Sequence, residues 1–127
     1  MSLCVALAAT VLTIPTTTFS LSWEHSVEKV EKVEWREEWA VTSPGLQLKR
    51  ASVKGSGAGM EPGEGAALED GWWRWTPTLA PLSEIRLAAS GETPGGWQLC
   101  HETGCLILGR QAGEDSVISP CTPASVP

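Results

Sequence analysis

His25 and Glu37 are the residues of this sequence best suited to move a proton. Each sits in a stretch that alternates apolar and polar positions: Phe19, Leu21, Trp23, His25 and Val27 in one, and Val33, Trp35, Glu37, Trp39 and Val41 in the other. Alternation of period two puts the members of each set on one face of a strand. A hairpin that pairs Val27 with Val33 sets His25 diagonally across from Glu37. A carboxylate beside a half-buried imidazole raises its pKa and supports proton transfer, ligand capture or a pH switch. A satisfied polar pair in a small core accounts for the same residues and is the weightier reading. Ser26 faces the opposite way from His25, so the two do not make a nucleophile and base.

Three other groupings carry chemistry of a looser kind. Gly55, Gly57 and Gly59, with Met60 after them, form a glycine-rich loop. No Gly-Lys-Ser/Thr follows and Pro62 interrupts any helix start, so a mononucleotide loop is disfavoured. An anion nest, close approach of another chain, or a plain long connection remain open for this loop. Trp72, Trp73, Arg74 and Trp75 can stack on a sugar ring or present a cation-π patch. Core on one side and partner interface on the other is the favoured reading, with Trp73 and Trp75 sharing a face. Cys100 and Cys105 bracket a four-residue turn that sets them opposite one another, which leaves a cross-strand disulfide, a free thiol pair, or a metal site with His101 as outcomes. The spacing matches no strong zinc pattern, so no metal and no cofactor is expected.

The elements that must position these groups are strands. In 127 residues there are 13 Gly, 9 Pro and seven Trp against one Phe and no Tyr, and no long window has helical apolar periodicity. The expectation is an all-β chain: one small antiparallel sandwich or partly open barrel with a glycine-rich loop, spanning residues 1–108, and a disordered Pro/Ser/Gly-rich tail over 109–127. A short helix across Val27, Val30 and Val33 fits their spacing of three but competes poorly with the hairpin. The repeated Val-Glu-Lys triplet is expected in the hairpin turn, because an odd insertion inside a strand reverses every later side chain. Leu46 to Val53 forms a third strand with a bulge near Arg50 and Ala51. Short strands at Trp72 to Trp75, Ile85 to Leu87 and Trp97 to Leu99 continue the pattern.

Composition narrows the partners. A formal charge of −6 is the wrong sign for a nucleic-acid backbone. From Glu24 to Glu38 the six Glu, two Lys and one Arg read as the solvated face of the hairpin. Leu3 to Ile14 is too short to span a bilayer, and no Lys or Arg precedes it as in an export signal, so it is read as a first buried strand. With that signal incomplete, the cytoplasm stands slightly ahead of the periplasm or the membrane periphery. Cys4 comes too early to be a lipid-modified cysteine, and Cys121, within the expected tail, is read as incidental.

Taken together, Leu21-Ser22-Trp23-x-His25-Ser26-Val27-Glu28-Lys29, Glu34-Trp35-Arg36-Glu37-Glu38-Trp39, Lys54 to Pro62, Asp70 to Trp75 and Trp97-x-Leu99-Cys100 with Cys105 resemble an uncharacterised bacterial family, domain of unknown function 1850. The resemblance covers roughly residues 3 to 108, a length suited to one fold unit. It implies a small non-enzymatic accessory protein associated with TRAP transporters of the TAXI type, whose permeases import organic acids. The expected partner is then a TRAP permease or its solute receptor. The expected docking surface is the His25/Glu37 face with Trp23, the glycine loop and exposed Trp. A carboxylate- or sugar-binding module using His25, Glu37 and nearby Trp is the alternative. Some members begin with a membrane segment, which is not evident here.

Overall fold

A computed structural model describes residues 1–27, 31–54, 63–89, 96–109 and 113–121, and of His25 to Val27 and Glu31 to Val33 it describes the backbone alone. Eleven strands are defined there: β1 (Ser2–Ala6), β2 (Val11–Pro15), β3 (Thr18–Val27), β4 (Glu31–Thr42), β5 (Gly45–Lys54), β6 (Ala67–Glu69), β7 (Trp72–Trp75), β8 (Ile85–Ala89), β9 (Trp97–His101), β10 (Gly104–Leu108) and β11 (Gly113–Pro120). They form two antiparallel sheets, ordered β2-β1-β11-β8 and β10-β9-β3-β4-β5-β7-β6. The expected all-β sandwich is what the chain adopts, and it is not a closed barrel.

The core lies between the sheets because alternate residues of both point inward. Leu3, Val5, Ile14, Leu87 and Ile118 from the smaller sheet meet Phe19, Leu21, Trp39, Val41, Leu46, Leu99 and Leu108 from the larger. Each such side chain taken from water contributes roughly 1.5–3 kcal/mol. In β5 the inward residues are Leu46 and Leu48 at one end and Ala51 and Val53 at the other, a change of parity that one extra residue must absorb. The ladder to β4 supplies it: Trp39 pairs with Leu48 and Glu38 with Arg50, leaving Lys49 as the insertion. The expected bulge is present, one residue from where the pattern placed it, and its exposed Lys49 and Arg50 lie side by side.

The β6–β7 hairpin turns on Asp70 (φ 52°) and Gly71 (φ 85°), two successive left-handed residues that match the right-handed twist of the strands they join. Gly63 packs its backbone so closely on the Trp75 indole that any side chain there would overlap it.

Several expectations need correction. Leu3 to Ile14 is not one strand but the β1–β2 hairpin, closed by a hydrogen bond from the Leu7 amide to the Thr10 carbonyl. Val27 and Val33 both lie in strands, which removes the helix across them. Part of the expected tail is folded: β11, over Gly113–Pro120, is an inner strand of the smaller sheet, with Ile118 fully buried. Sparse large side chains misled here, since one Val, one Ile and a buried Ser116 suffice for a strand flanked on both edges. Cys121 is not incidental but forms a disulfide with Cys4 of β1. The residues 122–127 lie outside the described part.

Candidate functional site

The β3–β4 ladder decides the fate of the proton-transfer pair. Val27 pairs with Glu31, not with Val33, so His25 lies opposite Val33 and Glu37 opposite Leu21. Four positions of ladder, about 13 Å, separate the two, and the structure does not bring them together. Glu37 instead accepts hydrogen bonds from the Trp35 Nε1–H (2.9 Å) and the Trp39 Nε1–H (3.0 Å), one on each carboxylate oxygen. A half-buried carboxylate with both oxygens engaged by indoles on its own strand fixes those rings. The His25 side chain lies outside what is described, as do Gly55, Gly57, Gly59 and Met60.

Around Glu37 the inward face is a tryptophan layer. Trp35 and Trp75 meet edge to face at 5.6 Å over the small Ala51, and Trp23 meets Trp97 at 6.1 Å. Trp73 shares the face of Trp75, as expected, but lies beside the open sheet edge, 36% exposed next to Leu68 at 58%. Trp72 points the other way.

That other face, turned away from the smaller sheet, gathers the polar chemistry. Reading across the strands, Ser22, Arg36, Ser52 and Arg74 are successive partners, and so are Glu24, Glu34, Lys54, Trp72 and Glu69. Ser52 is therefore flanked by Arg36 and Arg74 across the ladder and by Arg50 and Lys54 two positions away along its own strand. It is only 3% exposed, the floor beneath four longer cationic side chains. With Lys49, this face holds five of the nine Lys and Arg of a chain whose formal charge is −6.

Partners among these groups are unevenly assigned. Arg50 Nε pairs with Glu38 at 2.8 Å, and Arg74 Nη1 contacts Glu69 at 3.5 Å. Both pairs are partly solvated and contribute little to stability. The Trp72 ring has Arg36 Cζ at 5.1 Å and Lys54 Nζ at 5.9 Å from its centroid, two cation-π contacts that hold the indole in place. Arg74 Nε is buried and has no hydrogen-bond partner. Polar groups in that condition are rare in folded proteins.

Three cavities run along this face. One of about 730 Å³ is walled by Thr18, Ser20, Glu38, Lys49, Arg50 and Arg74 among others. Another of about 360 Å³ lies beside Ser22, Glu34, Arg36, Trp72 and Gln98. Between them, sharing Arg36 and Trp72 with one and Glu38, Arg50 and Arg74 with the other, is a chamber of about 60 Å³ floored by Ser52. The larger clefts have the volume of small-molecule sites. Sequence reasoning named Trp72 and Arg74 here but passed over Arg36, Arg50, Ser52 and the lysines, having read the charges of β4 as a solvated face. The signal available was the outward set Arg36, Ser52 and Arg74, which becomes meaningful only once the strands are aligned.

Cys100 and Cys105 are cross-strand partners joined by a disulfide, with Cα atoms 4.0 Å apart. His101 stands beside the same turn, and the Thr103 amide donates to its Nδ1 at 3.4 Å. With every described cysteine in a disulfide, the thiolates a metal at this turn would need are not available. Among the described residues no helix is long and apolar enough to cross a membrane. A family model described as Domain of unknown function (DUF1850) matches residues 19–108. No curated protein and no solved structure matches the chain.

Proposed function

The chain belongs to the DUF1850 family, and from that premise we propose that it is a non-enzymatic binding module that works through the outer face of its larger sheet on a carboxylate-bearing ligand. The observation that carries this reading is the gathering of Arg36, Arg50 and Arg74 around the buried Ser52, beside a cleft of about 730 Å³. An anion is what such a set attracts, and arginine forks suit carboxylates in particular. The module replaces the His25/Glu37 pocket with the opposite face of the same hairpin. Trp72 and Arg74 stay in the site, and Glu37 becomes a support for the tryptophans behind it.

Within that reading, the protein is an accessory of a TAXI-type TRAP transport system, whose cargo of organic acids has the chemistry this face favours. Its two disulfides are of the kind that persists in an oxidising compartment, and they support an accessory role on the outer side of the membrane over one in the cytoplasm. Tagging the protein in its host and identifying what co-purifies from detergent-solubilised membranes tests this. A TRAP permease or solute receptor recovered with the native chain, and lost with Arg36→Glu, supports the role. A transporter recovered equally well with Arg36→Glu moves the contact off this face, and recovery of no transporter sinks the accessory role.

A further inference from the structure

Resting on that reading of the outer face, we infer that the small chamber beneath Trp72 is a carboxylate seat, built for the acid group of a short hydroxylated organic acid. The chamber is lined by Arg36, Glu38, Arg50, Ser52, Trp72 and Arg74. Three of these are cations and one is a carboxylate already held by Arg50, so the chamber carries an excess of positive charge in an acidic chain. A single water needs roughly 10–15 Å³ on this scale, and about 60 Å³ therefore admits one compact group and no more.

Arg74 selects the kind of group. Its guanidinium spends Nη1 on Glu69 and keeps Nε–H buried without an acceptor. The Nε–H is one arm of the side-on fork through which arginine meets a carboxylate with two parallel hydrogen bonds. The Ser52 hydroxyl, on the neighbouring strand and directly across the ladder, adds a donor at the floor. Above them the Trp72 ring, held by Arg36 and Lys54, gives the chamber a flat wall. A planar monoanion meets these constraints. A tetrahedral dianion brings a second negative charge against Glu38 and Glu69, the carboxylates already on the site.

The body of the ligand follows from the adjoining cleft, which shares Glu38, Arg50 and Arg74 with the chamber and continues past the hydroxyls of Thr18, Ser20 and Thr76 to Lys49. Walls of hydroxyl and charge favour a chain that itself carries hydroxyls over an aliphatic tail.

The test is a titration followed by the arginine Nε–Hε signals in two-dimensional NMR, with gluconate, hexanoate and inorganic phosphate as probes. The Arg74 signal is identified by its absence from Arg74→Lys, a variant that keeps the charge and removes the fork. Gluconate is expected to move that signal, to bind more tightly than hexanoate, and to lose about tenfold or more in affinity in Arg74→Lys and in Ser52→Ala. Circular dichroism confirms that both variants are folded. Phosphate binding in preference to gluconate overturns the carboxylate assignment and leaves the outer face as the working surface. Gluconate shifts along β4, β5 and β7 that spare the Arg74 signal overturn the seat alone. Shifts confined to another surface overturn both the seat and the outer-face reading, and no shift with any probe overturns the seat while the co-purification experiment decides the face.

Discussion

Glu37 shows how one side chain can be placed on the right face and given the wrong neighbour. Alternation fixes which way a residue points, but a slip of two positions leaves every orientation unchanged and exchanges all the partners. The observed hairpin closes two positions earlier on β4 than Val27 paired with Val33 requires, and that displacement carries Glu37 from Trp23 to Leu21. Glu37→Gln is expected to cost about 1–3 kcal/mol of stability in urea unfolding, because an amide offers one acceptor where two indoles donate. Glu102 is a second residue with a defined role. Its exposed carboxylate accepts from the Thr17 hydroxyl at 2.8 Å and the Thr17 amide at 3.3 Å, and these bonds, the hydroxyl first, hold its pKa below the usual glutamate value. A lowered pKa means that the tie between the two turns is complete above the ordinary glutamate range and is lost as the pH falls through the lowered value. Thr17→Ala should bring the Glu102 carboxyl titration part of the way back toward that range, read by NMR, since the amide bond survives.

Strands were legible wherever alternation ran for several residues, and the hairpin, the third strand with its bulge and the Trp72 to Trp75 strand stand close to where their patterns placed them. Alternation was not sufficient where strands are short. The run from Leu3 to Ile14 is apolar on both sides of its turn, so nothing in hydrophobicity marked Leu7 to Thr10 as a reversal. The outer site was hidden for a related reason: Arg36, Ser52 and Arg74 belong to three strands, and only their registers set them in line. The bulge makes the strongest claim at this scale. Without the residue inserted at Lys49, Leu46 and Leu48 would turn outward while Ala51 and Val53 stayed inside. Deleting Lys49 should therefore abolish the cooperative unfolding transition, whereas Lys49→Ala should change stability by no more than about 0.5 kcal/mol, both measured by thermal circular dichroism.

For the molecule as a whole, an all-β sandwich was readable from the turn-forming residues and the lack of helical periodicity, but its extent was not. Residues 113–121 contain too few large side chains to announce a strand, and a disulfide between cysteines 117 positions apart leaves no local mark. The two disulfides should differ in worth. By the loop-entropy account Cys4→Ser is expected to cost about 5 kcal/mol and Cys100→Ser about 2 kcal/mol in urea unfolding, since one bond closes nearly the whole chain and the other a single turn. The Cys4–Cys121 bond also determines how the protein carries force. Tension applied through segments outside those two residues runs from one sulfur to the other, and of the two sheets only Ser2 and Leu3 at the start of β1 lie on the N-terminal side of that load path. Stretched between its ends in its oxidised form, the protein should resist as a rigid link; after reduction the same pull should unravel the sandwich and release about 400 Å of chain.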